Sequence, residues 1–280
     1  MAATITDIGN ATSITSDQTL STAAISVQSG DWLVAILAGS NDAGAGTTPF
    51  DNPAAQQNGT PVINGVQRAD VTYDPGAAGA GATCNFCTIP ITDTRNEAVA
   101  TKFLVDTSQK AIQVYRVRPG AGETISFIAA ETTGSTGNTQ THSAPTVSVT
   151  SGDIIFGAAA IETDDIVIAD SDTDSGSWSL IITRLADGGA DASTMSCVSQ
   201  YKTVTATANQ AWACTTASGR DSARTYLVLR SVATTPVTGP GGLHHIGEGM
   251  GDTGEGARVP QTLHTIERGV TCRDDWREAA

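Results

Sequence analysis

Lysine is the scarcest charged residue here: Lys102, Lys110 and Lys202 are the only three in 280 positions. With arginine the basic total reaches 15 against 29 acidic residues, for a formal net charge of −14. Phosphate-backbone binding needs clustered Lys or Arg, so nucleic acid is not an expected partner. The same shortage disfavours an anionic membrane surface. Long apolar runs are missing as well, and no segment approaches the roughly 20 residues that cross a bilayer as a helix. The opening Met1–Asp7 has no basic stretch followed by an apolar one, so no signal peptide is expected. Cysteine is limited to Cys84, Cys87, Cys197, Cys214 and Cys272. An odd number without a leader points to a reducing cytosol rather than a disulfide framework. The Gly-x-Ser-x-Gly elbow and the Gly-Lys-Ser/Thr phosphate loop are both absent. A Ser/His/Asp site could come only from distant residues, and nothing in the sequence selects them.

What the chain does have is Thr, Val, Ile and 29 glycines, a composition that favours strands and turns over helices. It also repeats itself. Ile25-Ser26-Val27-Gln28-Ser29-Gly30-Asp31 returns as Val147-Ser148-Val149-Thr150-Ser151-Gly152-Asp153, identical at five of seven positions. Each copy runs into an apolar stretch, Trp32–Leu37 and Ile154–Ile161. The pattern predicts an outer strand, a tight Ser-Gly-Asp turn and a buried strand, twice over. The ends of the two halves, Tyr115–Arg118 and Tyr226–Arg230, also correspond, and Cys84 and Cys197 fall at comparable places.

Short alternating strands with turn signals every 8–12 residues predict an all-β fold, a jelly-roll-like antiparallel β-sandwich. The expected organisation is one continuous β-sandwich region over 1–233, in related halves of about 1–120 and 121–233. Loops are expected at 39–60 and 131–143, a Gly/Ala turn cluster at 74–82, and an acidic loop over 162–177 around a short strand at Ile166–Ile168. Residues 234–257 are too rich in glycine to build a core. Residues 234–280 together are read as a Gly-rich linker and C-terminal anchoring arm, in which 260–280 makes a short helix or two and docks on a neighbour through Leu263, Ile266 and Trp276.

Candidate chemistry is sparse. Cys84-Asn-Phe-Cys87 is a lone pair with no second pair to complete a zinc site, and on a strand its two thiols point to opposite faces. Asp170, Asp172 and Asp174 alternate as calcium ligands do, but Ser175 stands at the sixth position of the loop and Ile181 at the twelfth, where an EF-hand has Gly and Glu. A solvated acidic turn is the plainer reading, and no cofactor is expected. His142, His244, His245 and His264 read as surface or interface histidines. Trp32, Trp178 and Trp212 lie in or near predicted strands; they are core candidates that could alternatively stack on a glycan.

The run Val147–Phe156, Ser177-Trp178, Ser199-Gln-Tyr-Lys202-Thr-Val-Thr-Ala, Gln210-Ala-Trp212, Ser218-Gly-Arg220-Asp221 and Tyr226-Leu-Val-Leu-Arg230 resembles a β-sandwich domain of tailed-bacteriophage virion proteins of the minor-tail, tail-fibre or capsid-decoration type. The resemblance covers about 25–230 and is stronger in the second half; the first half has no tryptophan matching Trp178. It implies a non-enzymatic structural protein made in the bacterial cytoplasm and carried on the virion, with other virion proteins or its own copies as partners. A carbohydrate-binding, host-recognition module is the alternative.

Overall fold

A computed structural model describes residues 2–40, 54–57, 60–74, 81–131, 134–190 and 193–234. The expected arm, with Leu263, Ile266 and Trp276, lies outside the described residues, as do His244, His245, His264 and Cys272. The elements are antiparallel β-strands, as the all-β reading requires. The first half contains β1 (Thr4–Ser13), β2 (Asp17–Ser21), β3 (Ile25–Val27), β4 (Trp32–Ser40), β5 (Ala54–Gln57), β6 (Thr60–Asn64), β7 (Val66–Tyr73), β8 (Ala82–Pro90), β9 (Arg95–Thr107) and β10 (Lys110–Arg118). The second contains β11 (Glu123–Ala130), β12 (Ser135–Ser143), β13 (Val147–Val149), β14 (Asp153–Ile161), β15 (Ile182–Ala186), β16 (Met195–Thr203), β17 (Ala208–Gln210) and β18 (Ala213–Ala233).

Strand order shows the duplication directly. One sheet runs β1-β10-β4-β8-β7 and the other β11-β18-β14-β16-β15, the same path through each half. Registers agree as well: Ala38 faces Cys84 across β4 and β8, and Ala160 faces Cys197 across β14 and β16. The closing tyrosines do not match. Val34 faces Tyr115 while its counterpart Phe156 faces Leu227, so Tyr115 corresponds to Leu227 and Tyr226 to Val114. A one-residue offset in a strand moves a side chain to the opposite face. Tyr115 accordingly joins the apolar layer between the two sheets, and Tyr226 packs on the far side of its own.

Each of these two sheets is buried on both faces. Val34, Ile36 and Ala38 of β4 meet Phe156, Ala158 and Ala160 of β14 in a layer shared by the halves. Leu33, Ala35 and Leu37 face the other way, toward Val27, Val99 and Phe103 of the first half's outer strands. Ile155, Ala159 and Ile161 face Val147, Val149 and Trp212 in the second half. Double burial explains why Trp32–Leu37 and Ile154–Ile161 read as unbroken apolar runs instead of alternating. Each fully buried Leu, Ile or Phe in such a layer stabilises the fold by about 2 kcal/mol. The shared layer is also bonded: Tyr115 Oη lies 2.8 Å from Ser199 Oγ, and its ring packs at 5.4 Å from Phe156 and 5.7 Å from Tyr201. At its rim Arg184 of the second half donates to Gln113 at 2.5 Å and to Asp7 at 2.6 Å in the first.

Three local expectations fail. Residues 135–143 form β12 rather than a loop, because their partner is the long strand β18 far along the chain. Within the expected loop 39–60, Ala54–Gln57 forms β5, paired to β9 and β6. Ile166–Ile168 makes only a single bridge, Ile168 to Thr215.

Candidate functional site

The repeated turns are equivalent to the level of single hydrogen bonds. Gly30 and Gly152 adopt φ of 89° and 92°, a left-handed conformation that glycine reaches without a Cβ penalty. In each turn the aspartate carboxylate accepts from an amide three residues earlier, Gln28 N or Thr150 N, at 2.8 Å. In each, an arginine of the half's closing strand, β10 or β18, then clamps that carboxylate. Arg118 donates to Asp31 at 2.7 and 2.9 Å, and Arg230 to Asp153 at 2.5 and 3.0 Å. Both aspartates are buried and both arginines are pushed up in pKa by the bond to their carboxylate. A fork-to-fork pair with no vacant oxygen is an architectural corner rather than a reactive group.

The acidic loop is built around Lys202, whose importance sequence reading missed. Its ammonium is fully buried and donates to Gln210 Oε1 at 2.7 Å, Asp174 O at 3.0 Å and Asp172 Oδ2 at 3.3 Å, and it lies 4.8 Å from the Trp178 ring centre. A lysine ammonium therefore stands among the oxygens that a calcium ion would use. Both oxygens of Asp170 and the other oxygen of Asp172 are engaged locally. Asp170 accepts from Asp172 N at 2.8 Å and from Ala213 N at 2.9 Å, and Asp172 accepts from Asp174 N at 2.8 Å. That amide, with help from Lys202, holds the Asp172 carboxyl below its ordinary value. Among the described residues no group of three His, Cys, Asp or Glu side chains is placed to hold a metal. The first half uses the same device at another position. Buried Lys110 donates to Thr15 O at 2.5 Å, Thr107 O at 2.8 Å and Asp17 Oδ1 at 2.8 Å, tying β2 to the β9–β10 turn.

The three tryptophans separate. Trp212 is fully enclosed, donates from Nε1 to Gln200 Oε1 at 3.0 Å and lies against Gly157; it presents no ring face to a sugar. Trp178 is buried beneath Lys202, and Trp32 is half-buried against the shared layer. Gln200 organises this region from below. Its amide accepts from Asp170 N at 2.9 Å and donates to Ser179 O at 2.8 Å, holding the two ends of the loop together.

His142, read from sequence as a surface or interface side chain, is fully buried in β12. Thr216 Oγ1 donates to Ser218 O at 2.8 Å, so it accepts from His142 Nε2 at 3.0 Å. That leaves Nδ1 bare, accepting from Ser222 Oγ at 2.8 Å. Burial, helped by the Arg224 guanidinium, lowers this histidine to about 4. The Ser–His contact resembles a nucleophile and its base, but both side chains are sealed from solvent. The four described cysteines are free and buried, their thiols pushed up by burial. Cys84 faces the shared layer and Cys87 the first half's own core, on opposite faces as strand geometry demands.

Comparison with protein-family models, curated proteins and solved structures gives no match for this chain.

Proposed function

We propose that this chain is a non-enzymatic structural protein of a phage virion, decorating the capsid or forming part of the tail or fibre and attached through the arm 234–280. One observation carries the reading: among the described residues, the buried ionisable side chains named above are committed to the fold. Lys110 and Lys202 are caged by oxygens, His142 is neutral between two hydroxyls, and the Asp31 and Asp153 carboxylates are clamped by arginines. A body so arranged acts through its surface and through the segments that leave it. The resemblance to phage β-sandwich proteins supplies the setting, and the acidic charge of −14 suits a solvent-facing body. The carbohydrate-binding alternative would have to do without the sealed ring of Trp212.

The test is quantitative proteomics of particles purified from the host that carries the gene, alongside a version truncated after residue 233. The full chain should copurify at stoichiometric level. The truncated chain should remain folded and be lost from particles. Particles that lack the full chain, or that retain the truncated one at the same copy number, overturn the reading.

A further inference from the structure

The two halves differ at one edge. In the first half β5 pairs with β9 through Ala54–Ala100 and β6 then pairs with β5, extending the outer sheet by a hairpin. By the registers Ser21–Ala100 and Ser143–Ala213, the counterpart of Ala100 is Ala213. Among the described residues no hairpin sits there. The segment 166–170 takes its place, making the one bridge Ile168–Thr215 and satisfying Ala213 N with the Asp170 carboxylate.

This segment is pinned, and among the described residues its outward side chains are uncovered. Val167 is buried in the second half's core while Ile166 and Ile168 on either side are 86% and 62% exposed. Leu180, 90% exposed, stands next to Ser179, which the Gln200 amide ties to Asp170. Ile168 and Leu180 thus lie two and one residues from positions held by one side chain, which keeps them within roughly 10–15 Å of each other. These are the three most exposed large apolar side chains among the described residues. Scattered exposed apolar residues are ordinary; a group at an unextended sheet edge is a docking feature.

Charge selects the occupant. Residues 162–181 include Glu162, Asp164, Asp165, Asp170, Asp172 and Asp174 and no Lys or Arg. Arg220 and Lys202 reach in from outside, to Asp165 and Asp172. Two copies of this edge would bring their carboxylates together, so the arrangement disfavours self-pairing. We propose that this edge of the second half receives an extended segment of another protein, one that alternates apolar with basic side chains. The segment would add outside 166–170, as β6 adds outside β5 in the first half. Its backbone would pair beside 166–169, its apolar side chains would cover Ile166, Ile168 and Leu180, and its Lys or Arg would meet the flanking carboxylates. The inference stands whether or not the chain belongs to a virion.

The test measures fluorescence anisotropy of two labelled ten-residue peptides, alternating Val-Lys and alternating Val-Glu, with the full-length protein and its I166S/I168S/L180S variant. Thermal melts confirm that the variant is folded; its substitutions are all at exposed positions. The Val-Lys peptide should bind the native protein, should weaken on adding salt, and should lose about tenfold or more in affinity to the variant. The Val-Glu peptide should not bind. Equal binding of both peptides, no Val-Lys binding at millimolar protein, or an unchanged affinity in the variant overturns the proposal. A native dimer in light scattering that the variant abolishes overturns it too, in favour of a second copy of the chain.

Discussion

At the residue scale, the chain repeatedly spends an ionisable side chain on geometry. The paired corners show this most clearly, because the same Asp–Arg clamp closes the same turn in each half. Removing one partner leaves a buried carboxylate or a frustrated turn amide, and the arginines are only about one-third exposed. Asp31→Ala and Asp153→Ala should each destabilise by about 2 kcal/mol, a figure discounted for partial screening. Urea denaturation should give similar losses at both corners; a large loss at one and none at the other would break their equivalence. His142 supplies a pH test. Its folded pKa of about 4 lies below its ordinary 6.5, so the fold holds the neutral form. The stability this represents is fully present above pH 6.5 and is lost as pH falls from there toward 4, by up to about 3 kcal/mol. Melting temperature should fall across that window and the fall should flatten in His142→Gln. An equal fall in the variant would assign the effect to other groups.

At the element scale, the turns and inner strands were legible in the sequence because their signals are local: Ser-Gly-Asp at a corner, an unbroken apolar run after it. What was not legible depends on distant partners. Strand β12, Ser-Thr-Gly-Asn-Thr-Gln-Thr-His-Ser, has the composition of a loop and becomes a strand because β18 bends past it. Tyr115 and Tyr226 look alike in sequence, but only the register shows that they face opposite ways. Lys202 was invisible as an organiser since a lone lysine reads as surface. Replacing it by methionine keeps most of its bulk but removes the donor to Asp172, Asp174 and Gln210. Lys202→Met should loosen 163–181, which limited proteolysis would detect as new cleavage there while the inner strands stay protected. Gly157 is a comparable hidden constraint. A Cβ at that position would lie 2.1 Å from Trp212 Cγ, so Gly157→Ala should cost about 2–3 kcal/mol, although alanine is native at the next three positions.

At the scale of the molecule, two like halves are joined through an apolar layer that neither could leave exposed. Residues 2–234 belong to a single compact unit on that account. The cysteines sample its layers: Cys87 lies in the first half's own core, Cys84 and Cys197 in the shared layer, and Cys214 in the second half's core. If the shared layer couples the halves, unfolding of one exposes the inner sheet of the other and the transition is cooperative. Pulsed thiol alkylation across a urea series, read residue by residue by mass spectrometry, measures this directly. Cys84, Cys87, Cys197 and Cys214 should all become reactive at one midpoint. Separate midpoints for Cys87 and Cys214 would contradict it, and would make the halves two independent sandwiches.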